Sequence, residues 1–222
     1  MYIRILTILI ILFSFSSDSF AGLKLPSALK DKLPGGDKGG SSETIDFSSM
    51  KTGLTDVFFK SADKFLEAQG YLFKAYKMDG AAKEIAALRK RAKDGKIDEN
   101  ERMNTVIKAS AQNSEELKEI IEKESVTNAQ QKAMYGKSFK PMGEGVKYAI
   151  QMSGEMKKMQ KSISEDKMNA IKQLGGFIKV IKNLPGYMST VQSTASMAMS
   201  GAKANDIEVS KKDAEAMGDE PD

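Results

Sequence analysis

The 222 residues carry 34 basic and 30 acidic side chains for a net charge of +4, and they include no Cys, His or Trp. Without Cys there is no disulfide framework, thiolate metal site or thiol nucleophile. Without His the chain lacks the side chain best matched to proton transfer near neutral pH and the commonest imidazole metal ligand. Carboxylates, Lys, Tyr, Ser and Thr are the remaining catalytic candidates, and no cofactor is expected.

The chain opens with Arg4, an apolar stretch from Ile5 to Phe15 broken only by Thr7 and Ser14, and small residues at Ser19 and Ala21. These are the three parts of a secretory signal, with cleavage expected after Ala21. A membrane anchor needs roughly 20 apolar residues, about twice what this stretch offers. A cleaved signal over residues 1–21 and a periplasmic mature protein are therefore expected. No second long apolar run follows, so the chain is expected not to be integral in a membrane, while peripheral contact stays compatible with it.

Residues 22–46 hold Pro26, Pro34-Gly35-Gly36 and Gly39-Gly40-Ser41-Ser42, a composition that propagates neither helix nor strand and reads as a flexible linker. From 47 to 203 the apolar positions repeat at three and four, which predicts helices throughout. A first helix is expected from about Ser48 to Met78, with Leu54, Phe58, Phe65, Leu72 and Tyr76 on one stripe flanked by Val57, Leu66 and Phe73. Asp79-Gly80 is expected to end it. A short helix over Ala81 to Lys93 follows, closed by Asp94-Gly95.

Asp98 with Glu101 reads as a capping box opening a helix that ends near Ser125, and Thr127 with Gln130 as a second box opening a long one. Pro141 is expected to kink or split that long helix. Glu165 to Asn183 forms the next, with Ile171, Leu174, Ile178 and Ile181 on one face and Leu184-Pro185-Gly186 as its stop. A last helix, rich in small residues, runs from about Tyr187 to Lys203. Each helix has a single apolar face, so the expected fold is an all-α, antiparallel bundle of about five or six helices. Residues 204–222, with net charge −5, are expected to form an acidic disordered tail.

The signal and the linker are each neutral, so the bundle at 47–203 carries +9. Its densest basic cluster is Lys83, Arg89, Lys90, Arg91, Lys93 and Lys96, a candidate ligand- or partner-binding site for anionic lipid headgroups, acidic polymers or the chain's own acidic tail. The competing reading is an ordinary solvated helix face. Nucleic acid is not expected, because no aromatic is interleaved with the cluster and no reading motif accompanies it.

Met152, Met156 and Met159 share one helical face, and thioethers are soft ligands for Cu(I), which makes copper handling an alternative function. Packing is the competing use of such Met residues. Ser61-Ala-Asp-Lys64 matches the Ser-x-x-Lys spacing of penicillin-recognising enzymes, but the companion motifs are missing or out of order. A hydrolase acting through paired carboxylates would need a converging pair, and no spacing singles one out. The sequence points to a non-catalytic, exported binding or scaffold protein of the cell envelope that recognises a protein partner or acidic ligand, or that assembles as a homo-oligomer.

Overall fold

A computed structural model describes residues 45–218, and the expected export signal, nearly all of the Gly/Pro/Ser segment and the last four residues lie outside them. The described residues form eight helices and no strand, where the periodicity suggested five or six. Four are long: α1 (Phe47–Ala75), α3 (Glu99–Lys123), α5 (Phe139–Glu165) and α7 (Phe177–Ala204). Four are short: α2 (Asp79–Ala92), α4 (Ala129–Gly136), α6 (Lys167–Leu174) and α8 (Lys211–Met217).

The amphipathic stripe predicted for α1 is buried in full, from Leu54 and Phe58 to Leu72 and Tyr76. Because its apolar residues cover more than one face, α1 packs against α2, α3, α4, α5 and α6 at once. The closest approach is to α5, where a Cβ on Gly145 would meet the Phe65 backbone nitrogen at 3.2 Å. Beside it the Ser61 hydroxyl donates to the Gly145 carbonyl at 2.9 Å and lies 3.1 Å from the Tyr187 hydroxyl. A second polar knot joins α1, α3 and α7. Gln69 donates to the Ser110 carbonyl and to the Ser114 hydroxyl, which lies 2.7 Å from that of Thr194. Satisfied polar contacts of this kind fix the register that apolar packing alone leaves loose.

Several boundaries differ from expectation for identifiable reasons. The first helix ends before Asp79-Gly80, in a turn whose left-handed residue is Lys77 at φ 59°. Met78 N–H reaches back to Phe73 and Lys77 N–H to Lys74, the paired bonds of a Schellman cap. Asp98 caps α3 through Glu101 N–H, but the Glu101 carboxylate turns to Arg91 instead of closing the box. The second capping box lies one residue later than predicted, at Asn128 and Gln131. The chain breaks between Gly136 and Phe139, which puts Pro141 in the first turn of α5, where its missing donor has no partner to lose.

Gly175, at φ 49°, divides α6 from α7, whereas Pro185 lies inside α7. Burial of Leu184, Tyr187 and Met188 around Pro185 offsets the roughly 3 kcal/mol that an interior proline costs. The glycine break shifts the phase of the preceding turn, so Ile171, expected on the inward face, is 60% exposed.

Part of the acidic segment, expected to be disordered, is helical. Ser210 caps α8, which packs on α5 and α7. Gly143 lets it settle, since a Cβ there would lie 2.7 Å from the Ala216 Cβ, and Met217 is buried beneath it.

Candidate functional site

The basic cluster does not act as one patch, because α2 distributes Lys83, Arg89, Lys90 and Arg91 around its axis while Lys93 and Lys96 follow its end. At 100° per residue, Ala82, Ile85, Arg89 and Ala92 fall on the side of α2 that faces inward, while Lys83, Lys90 and Arg91 fall on the opposite side. The burial pattern agrees: Ala82, Ile85 and Ala92 are buried, Arg89 is half-buried, and Lys83, Lys90, Arg91, Lys93 and Lys96 are exposed.

Arg89 is held between two carboxylates one turn apart on α1. Its Nε donates to Asp63 at 2.9 Å and its second amino group to Glu67 at 3.1 Å. Lys93 adds a second ion pair to Asp63 at 2.9 Å. Burial pushes the Asp63 carboxyl up, but the hydrogen bonds and charges of Arg89 and Lys93 outweigh it, so the group sits below the usual carboxylate range. A general acid needs the opposite shift. The carboxylates that converge here are therefore clasped by cations and serve as an α1–α2 tie.

Arg91 pairs with Glu101 at 3.2 Å across to α3. Lys96 lies in the following turn, its backbone N–H on the Asp94 carboxylate. What remains is Lys83, Lys90 and Lys96, exposed cations whose side chains form no ion pair among the described residues. Between the helices, Arg89 separates two shallow depressions. One of about 300 Å³ is lined by Asp56, Phe59, Lys60, Asp63 and Lys93, and one of about 120 Å³ by residues that include Tyr71 and Ile85. Phe59 and Ala92 form the apolar part of the larger, and the Arg102 guanidinium lies 4.8 Å from the Phe59 ring. No family model, curated protein or solved structure matches the chain.

The other candidates sit elsewhere. Met152, Met156 and Met159 are buried in the apolar core along α5. Ser61 is fully buried and hydrogen-bonded, and Lys64 turns instead to Glu144 at 2.6 Å, so this Ser-x-x-Lys pair offers no accessible nucleophile with a basic neighbour. Among the described residues no three acidic side chains gather where they could hold a metal ion. Burial raises the hydroxyl of Tyr76 to about 12 and holds those of Tyr135 and Tyr187 well above the usual tyrosine range. None of the three is poised for proton transfer near neutral pH.

Sequence reasoning missed the two exposed large apolar residues, Met168 at 70% and Ile171 at 60%, which both lie on α6. The Gly175-Gly176 pair was the available signal, since a glycine step resets the helical phase on either side.

Proposed function

We propose that the chain is an exported, non-catalytic binding or scaffold protein of the cell envelope that engages a protein partner or other acidic ligand with the outward face of α2. The observation that carries this reading is the division of the basic cluster. Arg89 and Lys93 are occupied in holding α2 to α1, while Lys83, Lys90 and Lys96 are exposed and form no ion pair among the described residues. Exposed like charges of this kind steer and orient acidic partners. The absence of His and Cys and the burial of Ser61 and Tyr187 support a role in recognition over chemistry. The short connector between α1 and α2, which pack together, supports an antiparallel pair there.

A photo-crosslinking residue at position 90, compared in living cells with one at the exposed Ser189 of α7, tests the reading. The expected result is a discrete adduct from position 90 alone, lost with Lys83→Glu and Lys96→Glu together. An adduct containing a second copy of the chain identifies the homo-oligomer. No adduct, or the same adduct from both positions, overturns the assignment of this face. Cell fractionation with N-terminal sequencing checks export, the expected mature end being Gly22.

A further inference from the structure

The geometry points to a second interaction surface: we propose that α6 attaches the protein peripherally to an anionic lipid bilayer, with Met168 and Ile171 entering the interface and lysines meeting the headgroups. On a helical wheel, Lys167, Ile171, Met168 and Lys172 follow one another within an arc of roughly 140°. All four are exposed, while Ala170 and Leu174 on the inward side are buried. An apolar pair bracketed by lysines on one helical face is the arrangement by which amphipathic helices lie in a membrane surface.

Charge decides between occupants. Residues 157–182, which span the end of α5, all of α6 and the start of α7, carry seven exposed lysines against only two acids, Glu165 and Asp166. Asp166 is engaged as the N-cap of α6, and Glu165 is 3.9 Å from Lys161. Lys157, Lys167, Lys172, Lys179 and Lys182 make no ion pair among the described residues. A second copy brought face to face would oppose like charges, whereas an anionic bilayer answers both the cations and the exposed apolar pair. No helix among the described residues is long and apolar enough to cross a membrane, so contact of this part of the chain stays at the surface. This surface is separate from the outward face of α2 and stands or falls without it.

The chain contains no Trp, so Met168→Trp places a single fluorescent reporter on the proposed contact. The protein as its own cells make it, with this substitution, is titrated with vesicles of phosphatidylcholine alone and of phosphatidylcholine with phosphatidylglycerol. The expected result is a blue-shifted emission only with the anionic vesicles, reversed by high salt. In sedimentation with the same vesicles, Lys167→Gln with Lys172→Gln lowers partitioning on the order of tenfold, and Met168→Ser with Ile171→Ser lowers it as well, with helix content unchanged by circular dichroism. Equal response to both vesicle types, or partitioning that neither pair of substitutions alters, overturns the proposal. So does a blue shift that appears without lipid as protein concentration rises, which assigns the face to self-association.

Discussion

Replacing Arg89 by Met and, separately, Lys90 by Met separates the two populations of the basic cluster. Met keeps much of the apolar stem in each case and removes the charge. The Arg89 guanidinium makes two short bonds to carboxylates, with side-chain exposures of 29% for Arg89, 24% for Asp63 and 29% for Glu67. Hydrogen bonds to charged groups contribute roughly 1.5–3 kcal/mol when buried, and exposed ion pairs roughly 0–1 kcal/mol. Asp63 retains Lys93 after the substitution, so the loss falls mainly on Glu67, and after discounting for solvent the net cost is about 2 kcal/mol. Lys90 forms no ion pair among the described residues, and its substitution changes stability by less than about 0.5 kcal/mol. Urea unfolding followed by far-ultraviolet circular dichroism reads both numbers, and hydrogen exchange places the loss in α2. Binding reverses the order, because with the photo-crosslinking residue at the exposed Ala87 instead, Lys90→Met weakens crosslinking at the α2 face while Arg89→Met leaves the outward lysines in place. Equal stability of the two variants, or Lys90→Met as the costlier one, refutes the division of the cluster.

Gly201→Ala sets a Cβ against the Tyr135 hydroxyl and 2.8 Å from Ile121, and that hydroxyl donates to the Ala198 carbonyl at 2.9 Å. Overpacking by roughly 1–3 kcal/mol exceeds the ~1 kcal/mol of helix propensity gained, and Tyr135→Phe in the same chain recovers part of the loss in a double-mutant cycle. Lys77→Gly relieves a left-handed residue in the α1 cap and raises stability by about 0.5–1 kcal/mol, read from the urea midpoint. Because the folded Asp63 carboxyl lies below its unfolded value, its ties stabilise the fold above pH ~4 and are lost as pH falls through the folded value. Asp63→Asn flattens that acid limb. The buried tyrosines act at the other extreme. Their raised values stabilise the fold below pH ~10, and the gain is lost above it, so tyrosinate absorbance from Tyr76, Tyr135 and Tyr187 appears together with loss of helix.

The helical class and the inward stripe of α1 were legible because a period of three and four apolar positions is a strong local signal, and Leu54, Phe58, Phe65 and Leu72 carry it without interruption. The breaks were less legible. Pro185 reads as a stop but survives in α7, since its neighbours' burial is a tertiary quantity that no local pattern contains. The left-handed turns at Lys77 and Asp206 lack the glycine that would have announced them. The basic cluster was visible as composition but not as geometry. The pairing of Arg89 with Asp63 and Glu67 joins positions more than twenty residues apart, and only the packing of α2 on α1 brings them together. The small-residue run near the C-terminus resolves into Ala195, Ala198, Gly201 and Ala202 buried in α7, with Gly201 against Tyr135 and Ile121, so its close packing lies within the chain.

The acidic segment bears on what the outward face of α2 is for. Its helix α8 is committed to α5 and α7, through Met217 and the approach of Ala216 to Gly143, and the described residues show no ion pair between it and Lys83, Lys90 or Lys96. Folding therefore leaves these cations unanswered from within the described chain. Helix formation asks for a cation at position 90, in the last turn of α2, where the helix dipole favours positive charge, but not at Lys83 in its first half, where Gln and Glu have nearly the helix propensity of Lys. Solubility does not ask for them either, because added carboxylates serve it better than added amines. Arg89 and Lys93 are explained by the carboxylates they hold, while the positive sign at positions 83 and 96 has no such explanation among the described residues. The proposal of an acidic partner rests on that remainder.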